Sequence, residues 1–483
     1  MRMDDSGQAK PANNNQKALK SGLWYTVSNF LTKGIVFLTT PIFTRIMSKA
    51  AYGEYSSFIT WQSLLLLVLP LALYSTVNRA RFDFPDKMDD YLTSITLAGS
   101  AVTAIAYTIV LVFMDQFEAF FGMSRFYISI MFLFVLLEPA LANFQSLMQA
   151  RYQYRVVTVI SLCACVISVG MSIAGSFLFE DQMLGRVLGY DLSLVLFYTC
   201  VYVWILYHGR HPRRAHISYA LKLSVPLVPH LVSMYILGQC DKLVIQRLIG
   251  NEAVANYNIG YTCALVISML SNSVNGAMSP WLFEKLSQKD YGTIKKVNQY
   301  YILIFTFVAF GLMLVSPEIQ WILGGNEYKD SRSILMPVMA GCCCNFIYTS
   351  YVNVENYLKK PGVISIGTSC VAVLNIVLNF IYVEKFGYKA AAYTTLLSYF
   401  ILLLYHYSMV KKFGYSHIYN NKLNLGCAIG ICLFSIFFVF VFETVIRWVL
   451  IAAYVVIGGV IIKRNYQSIR TIVFSITKTR DEG

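Results

Sequence analysis

The chain has 483 residues, 57% of them hydrophobic and 13% charged, with a mean hydropathy of +0.56. Soluble globular chains carry about 25% charged residues, so a fold surrounded by water is excluded and an all-α polytopic membrane protein is implied. The formal charge of +14 does not point to nucleic acid, because the basic residues are spread over many short loops and form no single patch.

In chain order, residues 1–22 are polar and lack the apolar core of a signal peptide, and no small-residue cleavage site follows them. They read as a cytoplasmic N-terminal segment that is not removed. Apolar runs long enough to cross about 30 Å of hydrocarbon then lie at 23–44, 54–78, 92–114, 126–148, 157–179, 185–207, 219–242, 254–278, 297–316, 333–354, 362–382, 389–410, 423–441 and 446–462. About fourteen transmembrane helices are predicted. With the N-terminus inside, the inner segments hold 26 Lys and Arg and the outer ones 10. The positive-inside rule then places both termini, including the tail 463–483, in the cytoplasm. All eleven cysteines fall in or beside apolar runs with no C-x-x-C pair and no neighbouring histidine. They read as small hydrophobes, and neither metal nor cofactor is expected.

The seventh run is interrupted. Pro226 and Pro229 remove backbone donors, and His230, Asp241, Lys242 and Arg247 follow, each costly in hydrocarbon unless it faces a partner or water. A gapless shift of 202 residues places Lys20 on Lys222, Arg45 on Arg247, Ala51 on Ala253, Tyr55 on Tyr257 and Gly185 on Gly387. A constant offset across six spans preserves orientation, which is the mark of a parallel repeat. We therefore expect two six-helix bundles related by a pseudo-two-fold axis, residues 23–207 and 219–410. A linker at 208–218 joins them, and two extra helices occupy 423–462.

Three stretches carry a family resemblance. These are KSGLWYTVSNFLTKGIVFLTTPIFTRIMSKAAYGEYSSF near the start, DKLVIQRLIGNEAVANYNIGYT in the centre, and LNIVLNFIYVEKFGYKAAAYTTLLSYFILL at 374–403. In this order they resemble the polysaccharide-export branch of the multidrug/oligosaccharidyl-lipid/polysaccharide exporter superfamily. The third motif departs from the usual G-x-x-G-A-A, reading Gly387-Tyr388-Lys389-Ala390-Ala391-Ala392. The resemblance implies a flippase of a bacterial inner membrane. It would move undecaprenyl-pyrophosphate-linked oligosaccharide to the outer leaflet for surface polysaccharide synthesis, in contact with membrane lipids and beside a polysaccharide polymerase complex.

With that cargo, the deep charges acquire roles. Lys33 stands near the middle of its run, about 16 Å from either interface at 1.5 Å per residue, too far for its stem to snorkel. It is either a phosphate contact in the cavity or the salt-bridge partner of Glu138, which precedes Pro139. Asp191 and His230 are cavity candidates, with a satisfied core histidine as the alternative for the latter. Asp241 and Lys242 are expected to pair with each other or with Arg247 at the outer interface. Arg79, Arg81 and Arg151 ring the inner mouth, as topology signals and lipid contacts or as a cationic vestibule. Asn375 and Asn379 share one helix face and either face substrate or cross-link helices.

No P-loop, H-E-x-x-H or G-x-S-x-G occurs and the inner loops are short, so an enzyme is not expected. The alternative is a cation-coupled multidrug exporter of the same superfamily, with Glu138, Asp191 or Asp241 as the ion site.

Overall fold

The computed structural model describes residues 31, 34, 35, 37–151, 153–441, 445–460 and 463. Lys33 and half of the first predicted span lie outside the described residues. Among the described residues regular structure is entirely helical, because a backbone in lipid must satisfy its hydrogen bonds within its own segment. Helix α1 covers residues 37–46. It is followed by α2 Lys49–Val68, α3 Val77–Asp83, α4 Met88–Val112, α5 Met114–Phe121, α6 Arg125–Ala150, α7 Tyr154–Leu178, α8 Gln182–Val187 and α9 Ser193–His208. The second half contains α10 Arg214–Ser224, α11 Val228–Gln239, α12 Asp241–Leu248, α13 Asn251–Ser287, α14 Tyr291–Leu314 and α15 Ser316–Gly324. Then come α16 Arg332–Tyr357, α17 Pro361–Phe386, α18 Lys389–Lys412, α19 Asn421–Val441 and α20 Val445–Val460.

Ten of these segments are long and apolar enough to cross a membrane, or eleven if a bent pair is taken as one span. The shortfall from fourteen has local causes. Half of the first run is outside the described residues, and α18, at 24 residues, carries four tyrosines, two threonines and His406, which lower its hydropathy. Helix α20 is the third case, a shorter apolar helix. The second run breaks after Pro70: α2 and the segment Leu73–Asp83 meet at 45°, and Leu71 and Ala72 adopt φ of 56° and 49°. Such left-handed backbone at residues with a side chain costs about 1–3 kcal/mol each and persists only where its surroundings over-determine it. The seventh run is likewise divided, with a 3-10 turn at Val225–Leu227 between α10 and α11.

The repeat is visible in the element boundaries, at two offsets. Helices α5 and α15 begin 202 residues apart, at Met114 and Ser316. Beyond them the starts of α6 and α16, α7 and α17, and α8 and α18 are each 207 apart. The connection after α15 is longer than that after α5, which accounts for the change. The pairing of Gly185 with Gly387 is thereby corrected. Gly387 ends α17 with φ of 74°, whereas Gly185 lies within α8, where an added Cβ would sit 2.1 Å from the Gly175 carbonyl.

The two halves also exchange equivalent contacts. Arg45 Nη2 donates to the Ile322 carbonyl of α15 at 3.3 Å, and Arg247 Nη1 donates to the Ala119 carbonyl of α5 at 2.8 Å. Each arginine follows the first long apolar run of its half and reaches the short helix of the other, as across a two-fold axis. Between these contacts α2 crosses α13. A Cβ on Gly53 would lie 1.8 Å from the Asn251 carbonyl oxygen and 3.1 Å from the Ala255 nitrogen, so the backbones touch.

The buried apolar residues form two clusters. One joins the end of the first half that the charge asymmetry assigns to the outside, with Phe43, Tyr52, Phe58, Tyr127 and Val187, to the core of the second half. The other, from Leu73 through Phe144 to Ala220, belongs to the opposite end of the first half and is separate. The halves are thus broadly fused at one end, and at the other they share buried core only through α10, whose Ala220 joins the first-half cluster. Replacing Gly53 with alanine should force this crossing apart, at about 1–3 kcal/mol for an overpacked site. The expected outcome is a lower unfolding temperature of the purified protein, while Gly170→Ala, which meets nothing within 4 Å, is neutral or slightly stabilising.

Candidate functional site

Three groups of buried polar residues bear on the sequence-predicted site. The first is at the break in the second run. Leu66, Pro70, Leu73, Tyr74, Glu138, Pro139 and Asn143 line a cavity of about 220 Å³, room for several waters. Glu138 borders this space and has no hydrogen-bond partner among the described residues. Asn143 beside it donates to Thr96 Oγ1 at 3.0 Å. Pro139 within α6 and Pro70 at the end of α2 leave backbone carbonyls that a wet cavity can satisfy.

The second place is the widened turn Leu188–Leu192 between α8 and α9, a single π-helical turn of the kind frequent at functional sites. It carries Asp191, which is fully buried. Asp191 Oδ1 accepts from Gln62 Nε2 at 3.0 Å, while Oδ2 has no partner among the described residues. One and a half turns earlier, Arg186 holds its guanidinium 3.7 Å from the ring centroids of both Phe43 and Tyr55. This is a cation–π sandwich. Its Nη1 meets the Met47 sulfur at 3.3 Å and its Nε is buried without an acceptor among the described residues. Arg186 escapes a reading of the sequence because it lies beside an outer loop and looks like an interfacial charge.

The third place is in the second half. Asp241, 1% exposed, receives three side-chain donors: Asn379 Nδ2 at 2.6 Å on Oδ1, and Tyr257 hydroxyl at 2.5 Å with Thr395 hydroxyl at 2.6 Å on Oδ2. Asn375 extends the network to Thr395 and Ser398 and accepts from Asn379 at 3.2 Å. Thr394 donates to Asn379 Oδ1. Both carboxylate oxygens are thereby satisfied inside the bundle. The expected pairing of Asp241 with Lys242 and Arg247 at the interface is corrected. Successive residues of a helix do not face each other, so Asp241 turns into the bundle and Lys242 Nζ lies 5.4 Å from the Tyr261 ring centroid. Arg247 reaches Ala119 instead. Asn375 and Asn379 do link helices, and through them Asn375 joins Asp241. Tyr257 and Thr395, which complete the cluster, carry no signal in sequence beyond being polar in apolar runs.

His230 stands apart from that cluster. Its Nδ1 lies 3.1 Å from Thr368 Oγ1, and Thr368 donates its own proton to the Ile364 carbonyl at 2.9 Å, so the imidazole is the donor. The three arginines of the inner mouth are engaged at the other end. Arg79 lies 4.0 Å from Asp83, Arg151 is 3.1 Å from Asp89, and Arg81 donates to the Ala150 carbonyl at 2.5 Å. They tie α3, α4 and α6 together. Glu138, Asp191 and the Asp241 network occupy separate places. Among the described residues, no group of three His, Cys, Asp or Glu could hold a metal ion.

The family described as polysaccharide biosynthesis protein matches residues 18–286, more than half of the chain. The chain belongs to this family. A second family, MatE, matches residues 226–381, and both fit the exporter superfamily that the three sequence stretches resemble. An Lsg-locus protein of Haemophilus influenzae is 25% identical over 362 residues, covering 72% of this chain and 87% of that protein. A probable low-salt glycan biosynthesis flippase, Agl15 of Haloferax volcanii, is 20% identical over 410 residues, covering 83% of this chain and 86% of its own length. Among solved structures, the lipid II flippase MurJ in an inward closed conformation superposes with a TM-score of 0.68 at 16% identity, over 92% of this chain and 99% of that one. An inward-facing multidrug resistance MATE family transporter superposes with a TM-score of 0.57 at 15% identity, over 80% and 95%. The fold is therefore that of these transporters, and the chain is a multi-pass membrane protein of the flippase and transporter type.

Asp241 offers a direct test of the network. Asp241→Ala would leave the Tyr257, Asn379 and Thr395 donors buried and unpaired, at about 1–3 kcal/mol each. The unfolding temperature should fall clearly for alanine and less for Asp241→Asn, which keeps one acceptor oxygen.

Proposed function

We propose that the chain is a flippase that carries undecaprenyl-pyrophosphate-linked oligosaccharide from the cytoplasmic to the outer leaflet of a bacterial inner membrane. In this reading residues 23–207 and 219–410 form two bundles that rock about the α2–α13 crossing, with both termini in the cytoplasm. The observation that carries it is the match to the polysaccharide biosynthesis family over residues 18–286. A core shared broadly at the end assigned to the outside, and only through α10 at the end assigned to the inside, supports a cargo entry on the cytoplasmic side.

Lys33 supplies a cation for the pyrophosphate, and Arg79, Arg81 and Arg151 gather headgroups at the mouth once released from Asp83, Ala150 and Asp89. Glu138, Asp191 and His230 face the passing headgroup and sugars, while Asn375 holds the helices that frame them. A polysaccharide polymerase complex would receive the product. A pyrophosphate carries about two negative charges, and each is worth about 2.3 kcal/mol per 100 mV, so an inside-negative potential favours outward transit without ATP. Ion coupling at Glu138, Asp191 or Asp241 is secondary to that drive. The second reading is a cation-coupled multidrug exporter, which the MatE match and the likeness to a MATE transporter favour.

Loss of the gene decides between them. A flippase predicts missing surface polysaccharide and lipid-linked oligosaccharide stranded in the inner leaflet, whereas sensitivity to cationic drugs alone would establish the exporter. Lys33→Ala should abolish export in a protein that still inserts, and Lys33→Arg should keep part of it because the charge survives. Wild-type export by the alanine variant would remove Lys33 from the site. In vesicles, flipping should follow an imposed potential; dependence on a sodium or proton gradient alone would replace the electrophoretic account with antiport.

A further inference from the structure

One buried titratable pair takes no part in the sites above. Glu355 of α16 and His406 of α18 have side chains with no exposed area, and His406 Nδ1 lies 2.8 Å from Glu355 Oε2. Their other polar atoms, Glu355 Oε1 and His406 Nε2, are buried with no partner among the described residues. The partner of this carboxylate is thus an imidazole, the one side chain whose unperturbed titration falls in the physiological range. The surrounding groups are aromatic or imidazole. Tyr348 of α16 and Tyr405 of α18 have ring centroids 5.4 and 5.1 Å from that of His406. His230 of α11 bonds Thr368 of α17 and is only partly buried.

We propose that Glu355 and His406 form a proton-binding site that controls the sealed end of the transporter, loaded and unloaded at His406 Nε2. The bookkeeping is simple. With a proton on both ring nitrogens the pair is an imidazolium and a carboxylate and is neutral overall. Loss of the Nε2 proton leaves a neutral ring, still donating from Nδ1, and a net negative charge in an apolar interior. A lone buried charge is far costlier than a paired one, so the unloaded state requires α16 and α18 to part and admit water.

The pair is mechanically placed to transmit that demand. Helix α16 is continuous from Arg332 to Tyr357, with Pro337 in its second turn and Glu355 near its C-terminal end. Its N-terminal approach contributes Tyr328, whose ring lies edge-on to Tyr52 of α2 with centroids 6.0 Å apart. Ile334 of α16 packs against Gly260 of α13, where an added Cβ would stand 2.6 Å away. A shift of α16 at Glu355 therefore displaces the contacts that close the other end. A purely structural staple would also bridge two helices, yet it needs neither a titratable partner nor two orphaned polar atoms. The proposal is independent of the cargo and holds for a lipid flippase and a drug exporter alike.

The full-length protein in lipid nanodiscs tests it, with spin labels on ketone-bearing residues at Asp115 and Asn326, both exposed, so that the native cysteines remain. The expected result is a label-to-label distance that lengthens between pH 5 and 9, with that shift lost in Glu355→Gln and in His406→Gln and kept in the exposed control His417→Gln. Nitrogen-15 spectra of the labelled histidines should show the His406 ring changing protonation over the same range. An unchanged shift in both glutamine variants, or no shift in the wild type, overturns the proposal. If the variants fail to fold, the wild-type spectrum decides alone, and a His406 ring with constant protonation from pH 5 to 9 overturns it.

Discussion

The crossing of α2 over α13 at Gly53 is the contact on which the rest of the arrangement depends. Only a residue without a Cβ lets the Asn251 carbonyl approach this closely, and that approach brings the two halves to a common seam. Around the seam the side-chain contacts follow: Asn258 donates to the Tyr52 hydroxyl at 3.1 Å, Thr44 to the Leu323 carbonyl at 2.6 Å, and Lys49 to the Glu327 carbonyl at 2.9 Å. Most accept on backbone oxygens near helix ends, where carbonyls lack intrahelical partners. A seam of this kind can separate and re-form without stranding a charge, which suits a bundle that alternates between two openings.

The buried polar groups differ in how completely they are satisfied, and the difference sorts rigid parts from switchable ones. Asp241 has a donor on each oxygen from three other segments of the chain, and Asn375, Asn379, Thr394 and Ser398 extend the same network. Satisfied networks rigidify a core, and this one joins α12, α13, α17 and α18. Asp191 is half satisfied on a π turn, Arg186 rests between aromatic rings, and Glu138 faces a cavity beside left-handed backbone at Leu71 and Ala72. These groups line the half that breaks at Pro70. Free energy stored there is released by modest movement, whereas the Asp241 network resists it.

The sequence by itself determined the class, the helical content, the approximate span positions and the duplicated plan. Each rests on a periodic or compositional signal: hydrocarbon accepts no unpaired backbone, so long apolar runs have one structural outcome. It also marked the residues whose burial had to be explained, from Glu138 and Asp191 to Asn375. Tertiary structure alone decided how those residues are partnered. Asp241 turned inward to Asn379 and Thr395 instead of pairing with its neighbour Lys242, because helix geometry separates adjacent side chains and only the packing of α17 and α18 supplies donors. Arg186 became an interior cation and Glu355 met His406 for the same reason. The repeat kept its first offset only as far as α15, because the longer connection to α16 shifts the register without disturbing either helix. Pairing across a sequence separation of fifty to more than a hundred residues leaves no local trace, since the energy that selects a partner comes from excluding water around both groups at once.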